Sequence, residues 1–569
     1  WTSLTSGLPP SADFGFTSVS ICDAFPNVLY AGVSYPEASP ACGEMRGFYK
    51  TSDGGATWTA LSPSYDFYCY PPPFDNICQG WYGNITSVSP VDTNIVFTGG
   101  VYLYKTFDAG ANWYYYDYSP AELDYPWVHP DHHSFGWDPQ NPNTVYAFCD
   151  GGVYKSTNQG YHWYLKNNGL VTTQFYYIAS SATNPNIALC GTQDNGSWCN
   201  LHLDTSKTWK QFQTGDGFMV SVDYGNENVW YGSELYAGRF RITLNGDSVE
   251  QRNSGIISSN YFTTPFVMHP TNRATFFTAT DSEIYRTDDT CHNWTSVYGA
   301  PYMIAFAFDH VNPDIIYTVQ DPYFTITKFC RSLDGGSTWL TGTLPMNKVI
   351  DIECHPDSSG VLFAVRSSYN AGENIWKSVD YGATWTNISG DFPGVPANAI
   401  CIDPHNTQHL YAGTDLGMYL SIDGGHTWNS FNDNLPNVMV TDIHYYEPDG
   451  TIRIGTHGRG YWMTKAFVPD ALPDEFGTCF NNTRIFPNPL TDQTMISFSL
   501  SSPSSVTIKI YNNLGQCIHT LYNQKNGAGA YTVTWDGNNS NGVKVAAGVY
   551  YVRMICEETA RTVKLNVSR

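Results

Sequence analysis

Residues 399–415, AICIDPHNTQHLYAGTD, run from an apolar stretch through an Asp/Pro/Asn cluster into a second apolar stretch. That order predicts a strand, a tight turn and a returning strand, because Pro, Asn and Asp favour turn geometry and Val, Ile and Tyr suit a pleated, half-buried surface. SFGWDPQNPNTVYAFCD at 134–150 follows the same plan. After each such pair a third strand leads into a short polar motif, and a fourth leaves from the Trp that ends it. The expectation is all-β, built from small four-stranded sheets.

The motif recurs as TSDGGATW at 51–58, TFDAGANW at 106–113, STNQGYHW at 156–163, SLDGGSTW at 332–339, SVDYGATW at 378–385 and SIDGGHTW at 421–428. This is the Asp-box pattern. Weaker copies are HLDTSKTW at 202–209 and TDDTCHNW at 287–294, in which Ser206 and Cys291 replace the usual glycine. The gap from Trp209 to Trp294 is wide enough for two units, so a degenerate one is placed at about 215–255. In such a box the Asp accepts backbone N–H bonds across the turn, Gly supplies a positive φ, and Trp packs between neighbouring sheets. Asp53, Asp108, Asp334, Asp380 and Asp423 are therefore assigned to folding.

WTSL at 1–4 matches WTAL at 58–61, so the chain opens on the fourth strand of a unit. The unit at 440–467 stops before any Asp box. Closing that last sheet with residues 1–8 yields a ten-bladed β-propeller over 1–467 with no open edge. The linker is 468–484, and short alternating strands such as TMISFSL, SVTIKIYN and GVYYVRM then predict an immunoglobulin-like β-sandwich at 485–569. The segments IFPNPLTDQTMISFSL, IKIYNNLGQCIHTL and GVKVAAGVYYVRM, in that order, resemble the sorting domain of type IX secretion in Bacteroidetes-type bacteria. The resemblance implies export through the outer membrane by the type IX machinery and an extracellular or outer-surface location. The propeller resembles the sortilin, sialidase and xyloglucanase-like Asp-box proteins over 1–467, which implies a fold more firmly than a reaction.

Composition narrows the partners. With 51 acidic against 28 basic side chains, a net charge of −23, no basic stripe is available for nucleic acid. No apolar run is long enough for a membrane-spanning helix. The 14 cysteines lack C-x-x-C pairs, which points to disulfides in an oxidising compartment; Cys69–Cys78 and Cys190–Cys199 are the preferred local bridges.

The candidate chemistry lies on the face opposite the Asp boxes. Aligning the units on AGTD at 412–415 puts Asp150, Gln193, Glu234, Asp281, Asp321, Asp415 and His457 where second strands end, with Asp194 and Arg459 beside them. Clustered carboxylates raise one another's pKa and suit acid–base work or a cation, although an Asp at a strand end also caps its own turn. Asp131, Asp150 and Asp415 are the catalytic candidates. In VHPDHHSF at 128–135, His129, Asp131 and His133 alternate along a predicted strand and, with His457, form a candidate set for a divalent cation. Loops 62–84 and 114–128 are rich in aromatics, and Tyr68, Trp81, Tyr116 and Trp127, with Asp194 and Arg459, are the candidate ligand contacts for sugar rings.

A sialidase needs an arginine triad, and Arg239, Arg366 and Arg459 fit it poorly. A xyloglucanase-like hydrolase needs two carboxylates across a cleft, here Asp131 and Asp150 against Asp415, and that family generally uses two seven-bladed propellers. The reading favoured by sequence is a surface or secreted propeller that binds a polysaccharide or a cell-surface protein. A glycoside hydrolase is the alternative, and a structural subunit of an extracellular assembly the second alternative.

Overall fold

The computed structural model describes residues 5–568 apart from 71–76, 117–127, 235–237, 243–245, 247, 258–261, 263–264, 321–326, 371, 468–479, 487, 489, 491, 513–515 and 557–558. Its regular structure is strands, with a short 3-10 turn at Ser11–Asp13. The chain divides into two compact units, 1–466 and 467–569.

The first unit holds ten antiparallel sheets in chain order, spanning 17–61, 85–116, 132–165, 175–213, 217–251, 266–298, 303–343, 349–387, 397–430 and 440–465. Among the described residues four strands follow one another as a meander in each of the first nine, and the tenth has three. The degenerate unit is a full sheet, the fifth, despite lacking the motif.

The repeated turns show why the motif is retained. Asp53 accepts from the Thr57 N–H (2.9 Å) and hydroxyl (2.6 Å), while Thr51 donates to Asp53 and accepts from the Gly55 N–H. Asp108, Asp334, Asp380 and Asp423 repeat this network. Gly55 takes φ +91°, where any Cβ is disfavoured. The hydrogen bonds from Thr57 hold the Asp53 carboxyl down at about 2.

The sheets do not make one ring of ten. The first strand of the fourth sheet, Phe175–Ser180, packs against the fifth sheet on one side and against the tenth on the other. A single device joins neighbours: Asp351 of the eighth sheet accepts from the Ile400 N–H of the ninth (3.1 Å), and Asp442 of the tenth accepts from the Ile178 N–H of the fourth (2.8 Å). Arg453, almost fully buried, completes the closure. It donates to Ser180 Oγ and the Pro185 carbonyl, pairs with Asp449 at 3.1 Å, and lies 3.6 Å over the Tyr446 ring. Sheets four to ten are thus a closed ring of seven.

Sheets one to three form a separate stack. Ser18 donates to Asn84, Ser20 accepts from the Val88 N–H, and Trp137 donates to Ser87. On the other face of the first sheet, Val19 and Ile21 are exposed. Residues 1–4 lie outside the described residues, but Ser6 accepts from the Trp58 N–H at 2.8 Å and Leu8 packs beside Tyr49. Those contacts belong to the first sheet, so for residues 5–8 the expected closure of the tenth sheet is corrected. The reason is that Ser6 and Leu8 are held where Trp58 and Tyr49 of the first sheet meet them.

The predicted Cys69–Cys78 bridge is present. Cys190 and Cys199 are both free and buried. The register pairs Cys190 with Trp198 and Cys199 with Leu189, and successive residues on a strand point to opposite faces, so the two sulfurs are directed apart.

The second unit has a three-stranded sheet, Phe480–Phe486, Thr494–Leu500 and Gly529–Trp535, and a four-stranded one over 504–567. Alternate residues Ile496, Phe498, Val506, Ile508, Val552 and Met554 are buried in its core.

Candidate carboxyl-rich site

The site forms where the third sheet meets the entrance to the fourth and fifth. Asp131 is not on the strand, which begins at His132. It sits in the left-handed region, φ +59°, and its N–H donates to the Val101 carbonyl at 2.8 Å. The expected alternation of His129, Asp131 and His133 along one strand face is therefore corrected. A left-handed residue reorients the backbone and separates His129 from the strand.

The Asp150 N–H donates to the Asp131 carbonyl, which brings the two aspartates together. His133 Nε2 lies 2.5 Å from Asp150 Oδ1, and this contact raises the pKa of the imidazole. Burial, reinforced by the Asp150 charge, pushes the Asp131 carboxyl up to about 7. The Tyr82 ring meets His133 edge-on at 5.0 Å, and Trp81 lies 5.8 Å from Tyr82 with both rings exposed.

From the fourth sheet, Asp194 is also left-handed, φ +56°. Its N–H donates to Asp216 Oδ1 at 2.9 Å, and its carbonyl lies 2.9 Å from His129 Nε2. The charges of Asp216 and Asp150 act on its carboxyl. Burial and then the neighbouring carboxylates hold Asp194 well above the usual range, and Asp216 is raised by burial. Burial, aided by Asp216, also raises Glu234. Asp131, Asp194, Asp216 and Glu234 are thus all displaced toward the protonated form, chiefly by burial.

Other predicted residues lie elsewhere. Asp415 accepts from Asn398 and Tyr369, each at 2.9 Å, on the ninth sheet. His457 pairs through its backbone with Gln174, and Arg459 donates to the Gly458 and Val171 carbonyls. Tyr68 is fully buried between the first two sheets, so it is corrected from a ligand contact to a core residue. Tyr116 ends the strand Tyr114–Tyr116, while Trp127 and Asp321 lie outside the described residues. Among the described residues, no group of three or more His, Cys, Asp or Glu side chains is arranged to hold a metal ion. The proposed ligand set is therefore not assembled: His129 turns to backbone carbonyls and His133 to Asp150. His132, between them, is fully buried against Phe135 and held neutral, its pKa pushed down to about 3 by burial.

Asp216 was missed by sequence reasoning. It stands in TGDGF, on the link between sheets, and the alignment on second-strand ends did not sample that position.

The fold and site together define an all-β propeller protein with a buried carboxyl cluster beside exposed aromatic rings. Residues 487–559 match the FlgD Ig-like domain. A xyloglucanase from Paenibacillus sp. is 30% identical over 231 residues, covering 30% of this chain and 22% of that protein. A probable oligoxyloglucan-reducing end-specific xyloglucanase from Neosartorya fischeri is 22% identical over 531 residues, covering 78% of this chain and 58% of the relative. The chain thus spans less than two thirds of the length of either. Among solved structures, PorZ of Porphyromonas gingivalis, described as an essential surface component of the type-IX secretion system, is 13% identical over 97% of this chain and 81% of its own, with a TM-score of 0.43. No helix among the described residues is long and apolar enough to cross a membrane.

Proposed function

We propose that the protein is an extracellular glycoside hydrolase acting on a neutral polysaccharide of the xyloglucan class. The observation that carries this reading is Asp131, a carboxyl held protonated to about pH 7 directly beside Asp150. Hydrolysis of a glycosidic bond needs such an acid to protonate the leaving oxygen and a carboxylate to take the proton of the attacking water. Asp131 supplies the first role; Asp415, the carboxylate expected across the cleft, lies on the ninth sheet, so the second is assigned to Asp150, oriented by His133. Water adds to the sugar carbon as the carbon–oxygen bond to the leaving group breaks. Trp81 and Tyr82 offer apolar ring faces for the neighbouring sugars. A net charge of −23 disfavours anionic polymers. Sequence relatives called xyloglucanases support this reading over simple binding.

Residues 485–569, on the PNP, YNxLG and AAGVYYV motifs, serve in this reading as a type IX sorting module behind the linker 468–484. The test is a panel of neutral polysaccharides with product detection for wild type and Asp131→Asn. Release of oligosaccharides from xyloglucan by wild type, lost by at least a hundredfold in kcat in the variant, is expected. Tight binding with no product would favour the binding propeller instead.

A further inference from the structure

The Asp131–Asp150 pair belongs to the third sheet, yet its surroundings are completed by a turn from the fourth. That turn, 193–196, is held from two sides. Asp216, on the link into the fifth sheet, accepts the Asp194 N–H at 2.9 Å. His129, on the approach to the third sheet, bonds the Asp194 carbonyl at 2.9 Å. Asn195 Nδ2 donates to the Asp150 carbonyl at 2.9 Å, and the Gly196 N–H to the Gly215 carbonyl at 2.6 Å. Between these ties Asp194 is left-handed, a conformation that Asp tolerates and that the bonds on either side fix here.

We propose that Asp216 and His129 are positioning residues, which hold Asp194 in this turn so that its carboxyl caps Asp150 and the seam between sheet stack and ring becomes one site. The inference rests on the hydrolase reading for its effect on rate, but the positioning itself is independent of it. Asp216 acts through one oxygen that accepts an N–H, and an asparagine carbonyl can do the same. His129 acts as a ring N–H donor, and a glutamine amide reaches with the same chemistry.

The experiment combines amide hydrogen exchange over 192–197 with kcat and KM on xyloglucan, for Asp216→Ala, Asp216→Asn, His129→Ala and His129→Gln in the full chain. Both alanine variants are expected to lose at least tenfold protection at Asp194 and Asn195. They should also lose at least tenfold in kcat with KM changed less than threefold, and both conservative variants should recover most of the protection. Thermal melting of each variant shows whether the fold is intact. Unchanged protection in a folded Asp216→Ala protein overturns the proposal, as does lost protection with full kcat. If wild type turns over no polysaccharide, the hydrolase reading fails by itself, and the exchange data still decide whether Asp216 and His129 hold the turn.

Discussion

Replacing Asp131 by asparagine separates its charge from its shape. Both residue types tolerate the left-handed φ of +59° found here, so the substitution adds little backbone strain. The Asp131 carboxyl rises from 3.8 to about 7. At about 1.36 kcal/mol per pKa unit, the ionised form is disfavoured in the folded state by at most about 4 kcal/mol, and relaxation with solvent on the open side reduces this to on the order of 2. The raised folded pKa sets the sign. The folded state holds the proton more tightly than the unfolded chain, so this contribution is fully present below about pH 4 and is lost as pH rises through 7. The asparagine side chain of the Asp131→Asn variant carries no charge at any of these values. Differential scanning calorimetry should therefore give equal midpoints for wild type and variant at pH 4, and a variant more stable than wild type by a few degrees at pH 8. The same variant should be inactive at both. A midpoint difference independent of pH, or a variant less stable at pH 8, would refute the claim that an unfavourable charge is stored at Asp131.

Arg453→Ala should unfasten the tenth sheet from the fourth and cost about 3 kcal/mol, since it removes the ion pair of a buried guanidinium and three further hydrogen bonds; Arg453→Lys should not restore them, and urea melts with chymotrypsin sensitivity at 175–177 and 445–446 check this. Asp53, held down at about 2, contributes stability that is present above about pH 4 and lost as pH falls through 2, so Asp53→Asn should flatten the acid limb of the stability curve. Non-reducing peptide mapping should recover Cys69 linked to Cys78 and alkylate Cys190 and Cys199 as thiols after unfolding. Limited proteolysis should cut within 468–484 and release an intact C-terminal module, and failure to release it would count against a tethered domain.

Much of this architecture was legible because its determinants are local. Turn residues, alternating apolar positions and the Asp-Gly-Trp motif each act within a few residues, so the sheets and the folding role of their turns could be read directly. The way the sheets meet could not. Nothing in one repeat encodes how many neighbours complete a circle; closure at seven depends on Asp442 finding Ile178 and Arg453 finding Ser180, pairs 264 and 273 residues apart. The same distinction explains the site. Asp131, Asp150 and Asp194 stood out because they end or precede strands in a recurring frame. Asp216 lay on a link outside that frame, and Asp415 lay inside it but three-dimensionally elsewhere. Tyr68 and Cys199 show the remaining gap, since one step of strand register decides whether a sulfur faces its neighbour, and the fold of a loop over two sheets decides whether a ring faces water.

The fastening of the tenth sheet to the fourth also sets an order of events during synthesis. The ring cannot close until the ribosome has passed residue 453, and at roughly 5–20 residues per second that leaves the fourth sheet waiting for tens of seconds after it is made. During that interval its Phe175–Ser180 strand presents Ile178 without its partner carboxylate. The sheets between must then assemble as an open fan, each stabilised only by the one before it. The final step is a single long-range docking event, slow for reasons of chain entropy rather than contact strength. A nascent chain stalled before Arg453 would be the vulnerable species, open at both faces of the fan and an accessible target for chaperones or for pairing with another unfinished copy.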